Sequence, residues 1–416
     1  MIPFMAAPAR CVYFDNNATT PVRSEVFEAM RPFLSPDGVY GNPSSLHSAG
    51  QKAHTALETA REQVAALLGA ADPSEIVFTS CGTEADNMAL IGAAFEHRAK
   101  GRHLITSAVE HHAVLHTLDY LAREHHFEVT ELPVDAEGRI RPSDLAAALR
   151  PDTILVSLMA ANNEIGTVQP VAELGAICRD RKVLFHTDAV QAAGKMPLDL
   201  KNLPVDMAAI SGHKIYGPKG IGALYLRRGV RLQSLLHGGS HEKNRRAGTE
   251  NVPGAVGLGV ACDLARREMA REAPRIEALR DRFERGVLSV IPGVAVNGGG
   301  APRLGNTSNL TFDCVEGESL VLAMDQAGFA LKQPDLPGVE ISTGSACASG
   351  LLEPSHVLKA IGIAPERIHG SVRFSLGHFN TEADVDFALR VLPAAVTHLR
   401  RMSPLWEDRG RTAATS

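Results

Sequence analysis

The most informative segment of this chain is Ala209-Ile-Ser-Gly-His-Lys-Ile-Tyr-Gly-Pro-Lys-Gly220. It begins as an apolar strand and ends in a glycine-rich exit, and Lys214 follows the strand beside Ser211 and His213. A hydroxyl, an imidazole and backbone N–H groups at a strand end can bind a phosphate, and an amine among them can bond to an aldehyde. The stretch therefore indicates a site for a phosphorylated aldehyde.

A second apolar run, Val183-Leu-Phe185, continues into His186-Thr-Asp-Ala-Val-Gln191. An acid at such a strand end, Asp188, can face a protonated ring nitrogen. Taken alone, Asp188 could cap a helix and Lys214 could be a solvated loop residue. Together, in this order, the two residues predict a site for pyridoxal 5′-phosphate (PLP).

Short β-branched runs alternate with amphipathic segments from about residue 75 onward. This alternation predicts an α/β fold with a mostly parallel seven-stranded sheet covered by helices, and active-site residues are then expected at the strand ends. The predicted strands are 75–78, 103–106, 127–130, 153–157, 183–185, 207–210 and 223–226, with helices at 85–98, 112–124 and 171–181.

After about residue 260 the pattern changes to a long charged helix over 252–290, followed by strands at 309–312 and 371–374 and helices at 318–327 and 382–400. We expect a large cofactor-binding domain over 17–262. A smaller α+β domain would combine residues 1–16 with 263–416. The proline- and glycine-containing segment 330–342 is predicted to be a loop.

Charge and cysteine usage narrow the function classes. A net charge of −5 gives no reason to expect nucleic acid or an anionic membrane surface as partner. No long uninterrupted apolar run suggests a membrane span, and the first ten residues do not resemble a signal peptide. The six cysteines form no C-x-x-C pair, so no metal site is expected, and scattered thiols suit a cytoplasmic protein.

Seven segments resemble the cysteine desulfurases of the NifS and IscS type, which belong to the class V aminotransferase group of fold type I PLP enzymes. Each segment alone is unspecific, whereas their joint order is specific, and they extend over nearly the whole chain. They are Asp15-Asn-Asn-Ala-Thr-Thr-Pro21, Gly41-Asn-Pro-Ser-Ser-Leu-His47, Phe78-Thr-Ser-Cys-Gly-Thr-Glu84, Asn162-Asn-Glu-Ile-Gly166, Arg245-Arg-Ala-Gly-Thr-Glu-Asn251, Gly344-Ser-Ala-Cys-Ala-Ser-Gly350 and Arg373-Phe-Ser-Leu-Gly377.

The resemblance implies a set of cofactor contacts. Helix N-termini attract phosphate through free N–H groups, so Gly82 and Thr83 would bind the phosphate together with Ser211 and His213. Thr83 could equally be an ordinary N-cap. Thr249 would reach the phosphate of a neighbouring subunit, which implies a homodimer.

Two further residues would contact the cofactor ring. His111 would stack on the ring and move protons, and its alternative is a helix-capping or solvated histidine. Gln191 would hydrogen-bond the phenolic oxygen, and its alternative is a polar surface residue.

Asn163 and Arg373 would bind the substrate carboxylate, because a guanidinium makes a planar two-point contact with that group. The alternative for Asn163 is a turn residue. For Arg373 it is a surface salt bridge, which its apolar neighbours disfavour. Cys347, among small residues, would be the thiolate acceptor of sulfur, and its alternative is a buried structural cysteine.

The resemblance implies conversion of L-cysteine to L-alanine. Lys214 would remove the Cα proton, Cys347 would keep the sulfur as a persulfide, and an iron–sulfur scaffold protein would receive it. Segments 79–84, 245–251 and 369–375 favour the nitrogen-fixation type, with sulfur supplied for nitrogenase maturation. Two alternatives stay open: a selenocysteine lyase or other cysteine-metabolising PLP enzyme, and a PLP-bearing scaffold that binds assembly proteins.

Overall fold

A computed structural model describes residues 10–331, 333, 336–344, 354–404 and 406. Its largest element is a seven-stranded sheet, and twelve strands occur in these residues. They are β1 (Val12–Tyr13), β2 (Ile76–Thr79), β3 (His103–Ser107), β4 (Glu128–Leu132), β5 (Thr153–Ser157), β6 (Leu184–Asp188), β7 (Met207–Ser211), β8 (Gly222–Leu226), β9 (Val294–Val296), β10 (Thr307–Phe312), β11 (Val339–Glu340) and β12 (Ser371–Ser375).

The strand order of this sheet is β2-β8-β7-β6-β5-β3-β4. Only β8 runs against its neighbours β2 and β7, and the other paired strands are parallel. The segment 212–221 between β7 and β8 is too short for a helical crossover, so the chain returns antiparallel. The prediction of a mostly parallel seven-stranded sheet is confirmed.

Strand β5 has the predicted bounds, and the other boundaries shift by up to three residues, most at β6, which ends at Asp188 and not at Phe185. At β4, Phe127 was expected to begin the strand. His126 adopts a left-handed conformation with φ of 57° at the end of the preceding helix. The Phe127 N–H then donates to the Leu121 carbonyl, so pairing in β4 begins only at Glu128.

Helices cover both faces of this sheet and one face of the smaller one. They are α1 (Ser24–Met30), α2 (Ser48–Leu68), α3 (Gly82–His97), α4 (His112–His125), α5 (Pro142–Ala148), α6 (Val171–Asp180), α7 (Val252–Val290), α8 (Gly317–Asp325), α9 (Ala327–Ala330), α10 (His356–Ala360), α11 (Pro365–Ile368) and α12 (Glu382–Met402). Within the described ranges, no helix combines the length and hydropathy needed to cross a membrane.

The large sheet is buried on both faces, as expected when helices cover a sheet from both sides. Neighbouring residues of β5 point into separate cores: Val156 packs with Phe185 and Ile210, and Leu155 packs with Leu104. A further core surrounds the antiparallel sheet β12-β10-β9, where Phe283 contacts the rings of Phe14 and Phe374 at centroid distances of 5.7 and 4.7 Å.

Helix α7 joins these cores. Leu258 near its N-terminal end packs under the large sheet, and Phe283 near its other end packs under the small one. The expected domain boundary at residue 262 therefore falls inside one continuous helix. The segment 330–342 also differs from expectation, because Val339 is buried and β11 pairs in parallel with β1.

Candidate active site

A cavity of about 260 Å³ opens at the carboxyl edge of the large sheet. It lies where β2, β3, β5, β6 and β7 end, so five strands supply its walls. Ten of the twelve predicted site residues line it: Gly82, Thr83, His111, Asn163, Asp188, Gln191, Ser211, His213, Lys214 and Arg373. The sheet topology therefore brings most of the candidate residues together.

Lys214 ends a short 3-10 turn that follows β7. Its ammonium donates to the carbonyls of Asn17 and Ala18, each at 2.7 Å. Thr20 strengthens this attachment, since its hydroxyl donates to the His213 carbonyl at 2.9 Å. The lysine is thus aimed at one end of the cavity by the segment that follows β1.

Another part of the cavity wall suits a phosphate. Helix α3 begins at Gly82, where an added Cβ would lie 2.8 Å from Val190 Cγ2, so a side chain there would narrow the wall. Ser211 Oγ is buried and has no hydrogen-bond partner among the described residues. A free helix N-terminus beside an unsatisfied buried hydroxyl matches the donors that a phosphate needs.

His213 contributes to the same wall. Its Nδ1 lies 3.1 Å from Thr19 Oγ1. Burial, followed by the charges of Lys214 and Lys219, lowers the pKa of His213 to about 4. The imidazole is therefore neutral near pH 7 and can donate or accept one hydrogen bond on each side.

Asp188 is buried at the end of β6, where its Oδ1 accepts a hydrogen bond from the Val190 N–H at 2.8 Å. Burial raises the pKa of Asp188 to about 6, although the Val190 contact and the Lys214 charge oppose this effect. A cation held against such a carboxylate would stabilise its charged form. Asp188 thus fits a protonated ring nitrogen.

His111 lies at the N-cap of α4, and its Nδ1 accepts from the Ala113 N–H at 3.1 Å. This contact assigns the ring proton to Nε2. Burial, then the charge of Lys214, lowers the pKa of His111 to about 4. The helix cap is therefore present, and the neutral ring also lines the cavity. Stacking on a cofactor stays a prediction.

Arg373 is buried on β12, and its guanidinium donates to three oxygen atoms, one of them the Gly344 carbonyl at 3.4 Å from Nη1. Nη2 donates to Asp15 Oδ1 at 2.8 Å, and Nη1 donates to the Asn163 carbonyl at 3.0 Å. Its Nε is buried without a hydrogen-bond partner among the described residues. Arg373 is thus an internal cation at the cavity wall. Asn163 supplies a backbone oxygen to it.

The remaining predicted residues differ in their positions. Gln191 is buried, and its Nε2 donates to the Asn17 carbonyl at 3.0 Å, so it is no surface residue. Thr249 is exposed in the loop before α7 and does not line the cavity. Cys347 lies outside the described residues, but Gly344 borders the cavity.

Comparison with known proteins identifies the family. The aminotransferase class-V model matches residues 12–387. This chain belongs to that family. Its curated relatives include the cysteine desulfurase IscS of Methanosarcina thermophila, 51% identical over 97% of this chain and 96% of the relative.

Solved structures agree with the assignment. A NifS-like protein superposes with a TM-score of 0.84 at 39% identity and covers 93% of this chain and 100% of its own. A structure described as SspA in complex with cysteine has a TM-score of 0.76 at 38% identity, with coverage of 89% and 100%. Within the class-V family, the chain thus groups with the IscS and NifS-type enzymes, which use PLP.

Two residues of this class-V site were not predicted from the sequence. Asn17 accepts from both Lys214 and Gln191 through its carbonyl, although the segment containing it had been noted only as a match. Asp86 also lines the cavity, and burial followed by the charges of Asp188 and Glu110 raises its pKa well above the ordinary value. Its position one helical turn after Gly82 was the available signal.

Proposed function

We propose that this class-V enzyme is a cysteine desulfurase that converts L-cysteine to L-alanine and passes the sulfur to Cys347. The observation that carries the proposal is a single cavity that combines Lys214, the buried acid Asp188 and the buried cation Arg373. An amine, an acid and a carboxylate-binding cation are the groups that PLP chemistry on an amino acid requires.

Bound PLP would supply an electron-withdrawing ring that weakens bonds at the substrate Cα. The α3 N-terminus at Gly82 and Thr83 would bind its phosphate, together with Ser211 and His213. Because Ser211 Oγ lacks a partner in the described residues, a phosphate oxygen would satisfy a buried hydroxyl at no loss of an existing contact.

The ring would be held by three further side chains. Asp188 would form a charge-assisted hydrogen bond with the ring nitrogen. His111 would cover the ring with a neutral imidazole, which leaves the positive charge of the site on Lys214 and Arg373. Gln191 would donate to the phenolic oxygen. These contacts orient the cofactor toward Lys214 and exclude water from the ring.

Lys214 would act as the base. As a free amine, its Nζ would take the proton from the substrate Cα and return protons as alanine forms. The carbonyls of Asn17 and Ala18 would hold that amine at the cavity wall.

Arg373 would bind the substrate carboxylate, with Asn163 beside it. Its guanidinium has five N–H donors, its described acceptors are Asp15 and the carbonyls of Asn163 and Gly344, and Nε has no described acceptor. Fixing the carboxylate fixes which Cα bond faces Lys214.

Cys347 would complete the reaction as the sulfur acceptor. Its thiolate bonds to the substrate sulfur while the substrate Cβ–S bond breaks and the electron pair remains on carbon. The products are alanine and a persulfide on the enzyme, so no external oxidant is required. Gly344 supports this role, because it lines the cavity and precedes Cys347 by only three residues in the sequence.

The cellular role is part of the same proposal. The persulfide would supply an iron–sulfur scaffold protein in the cytoplasm, and the nitrogenase-specific role stays a prediction from the sequence. The enzyme would be a homodimer that shares Thr249 between subunits. Residues 17–262 would form the cofactor domain, and residues 1–16 with 263–416 would form the smaller one.

The decisive experiment measures alanine and sulfide from L-cysteine with a reductant, with and without added PLP. We expect equal amounts of both products and dependence on PLP. L-Selenocysteine in a parallel assay tests the lyase alternative, which a much larger kcat/KM for the selenium substrate would favour. Absence of alanine from both substrates would contradict the desulfurase and the selenocysteine lyase. Loss of cysteine without alanine would then favour another cysteine-metabolising PLP enzyme, and no loss of cysteine would favour the scaffold alternative.

A further inference from the structure

Lys195 lies behind the candidate site, and its ammonium joins two of the site's polar residues. Its Nζ donates to Gln191 Oε1 at 2.6 Å and to Asn17 Oδ1 at 3.1 Å. The lysine also lines a second, smaller cavity of about 80 Å³, which Lys214 borders as well. Lys195 therefore contacts Asn17, one of the two residues whose carbonyls hold Lys214.

We propose that Lys195 is a positioning residue that fixes which end of the Gln191 amide faces the cofactor. This inference rests on the proposed function, because it concerns the contact of Gln191 with the cofactor's phenolic oxygen. Lys195 itself touches neither cofactor nor substrate in this proposal.

The argument begins with the symmetry of a glutamine amide. Its two ends have nearly the same shape but opposite hydrogen-bonding character. Lys195 Nζ donates to the nearer end at 2.6 Å, and the Asn17 carbonyl on the other side can only accept, so both partners require the amide oxygen to face Lys195. The Nε2 end is then turned to the opposite side, where it donates to the Asn17 carbonyl at 3.0 Å. Because the orientation of the amide is fixed, the direction of the second N–H of Gln191 Nε2 is fixed as well.

Asn17 connects this network to the candidate base. Its Oδ1 accepts from Lys195 and also from Asn306 Nδ2 at 2.9 Å. Its carbonyl accepts from Gln191 and from Lys214 Nζ at 2.7 Å. Without Lys195, Asn17 Oδ1 would still accept from Asn306 Nδ2, but Gln191 Oε1 would lose its described donor. The effect of Lys195 is therefore expected to reach the cofactor through Gln191.

Lys195 Nζ can make both contacts in either protonation state. Burial, then the cations Lys214 and Arg373, lowers the pKa of Lys195 well below its ordinary value. Among the described residues, Lys195 takes part in no ion pair, and the cavity carboxylates Glu268 and Glu272 pair with arginines and His378 instead. The charged amine has three N–H groups and the neutral amine has two, so each form has enough donors for the two acceptors here.

The experiment compares Lys195→Met, Gln191→Leu and the double variant, with the exposed Lys201→Met as control. Apoprotein is titrated with PLP, and the visible band of the bound cofactor is titrated against pH. Lys195→Met should weaken PLP binding by about three- to tenfold, the size of one hydrogen bond. It should also move the titration midpoint of the band to higher pH, because the phenolic oxygen loses a donor that stabilises its anion.

Gln191→Leu should give the same two effects, and the double variant should match Gln191→Leu alone. Additive effects in the double variant would overturn the proposal, because Lys195 would then act by its own charge or packing. A midpoint unchanged in Lys195→Met would overturn it as well.

Two further observations keep the inference separate from the proposed function. If Lys195→Met does not fold, Lys195→Gln replaces it, since a glutamine has an acceptor too and no longer dictates the orientation of Gln191. It should show the same midpoint shift, and an unchanged midpoint would contradict the proposal. Failure of the wild-type apoprotein to bind PLP would overturn both the proposed function and this inference.

Discussion

Arg373 and Asp15 form an ion pair of 2.8 Å between β12 and the segment that follows β1. The arginine side chain is almost fully buried and the aspartate is about one-fifth exposed. Asp15 thus aligns the guanidinium before any substrate arrives, which lowers the entropy lost on substrate binding.

Replacing Arg373 with alanine should remove substrate orientation and leave PLP binding intact. Loss of a buried, charge-assisted contact should destabilise the transition state by about 2–5 kcal/mol, which is measured as a lower kcat/KM for cysteine. The exposed pair Arg367–Asp313 offers a control, and Arg367→Ala should leave kcat/KM unchanged. An Arg373→Ala enzyme with wild-type kcat/KM would exclude the assigned role.

Lys214→Ala should abolish the covalent bond to PLP, so the purified protein should lack the yellow colour expected of the wild type. Borohydride reduction of the wild type should fix PLP to the peptide that contains Lys214, identified by mass spectrometry. Lys219→Ala, five residues further and exposed, should stay yellow. Labelling of any other lysine would contradict the assignment.

The buried carboxyl group of Glu110 should make the stability of the folded protein depend on pH. It is fully buried, and burial raises its pKa from 4.5 to about 8, against the hydrogen bonds from Ser107 and Met159. The folded state therefore binds the proton more tightly than the unfolded state. The resulting stability is present below pH 4.5 and is lost as pH rises through about 8.

Glu110→Gln, which stays neutral, should thus gain stability relative to wild type between pH 5 and pH 9. The upper limit is about 5 kcal/mol at about 1.4 kcal/mol per pH unit. Urea unfolding of both apoproteins at several pH values measures this difference. The exposed Glu124→Gln serves as control, and parallel pH profiles for wild type and Glu110→Gln would refute the prediction.

Cys347→Ala should separate cofactor chemistry from sulfur transfer. The variant should bind PLP and change its spectrum on addition of cysteine, because neither step uses the thiol. It should release almost no sulfide, and mass spectrometry should find one added sulfur on the Cys347 peptide of the wild type only. Normal activity in the variant, or added sulfur on Cys81 or Cys314, would reject Cys347 as acceptor.

A substitution of Thr249 tests whether each subunit contributes to the phosphate site of the other. The wild type should be a dimer by light scattering, and Thr249→Ala should bind PLP about three- to tenfold more weakly, since one phosphate contact is lost. Thr397→Ala, on an exposed position of α12, provides the comparison. A PLP-saturated, fully active monomer would be incompatible with the prediction.

Sequence patterns placed Asp188 and Lys214 near the carboxyl ends of two strands, because each follows an apolar run and parallel strands align their ends. They could not locate Asn17, whose contribution is a backbone carbonyl that any residue carries. Asp86 escaped for a different reason: a polar residue on a helix is ordinarily solvent-exposed, and only the packing of α3 against the sheet buries it. The antiparallel direction of β8 follows from the short connection 212–221 after β7. The alternation of strands and helices in the sequence does not show this direction.

The attachment of Asn17 has a consequence for biosynthesis. Its contacts reach Asn306 and Ser375, which are added to the growing chain hundreds of residues later. The segment around Asn17 must wait until residue 375 has been translated before all of these partners exist. Such remote pairing slows folding because the closing loop is long. The pocket is therefore expected to mature after translation of β12, with the segment around Asn17 exposed to chaperones until then.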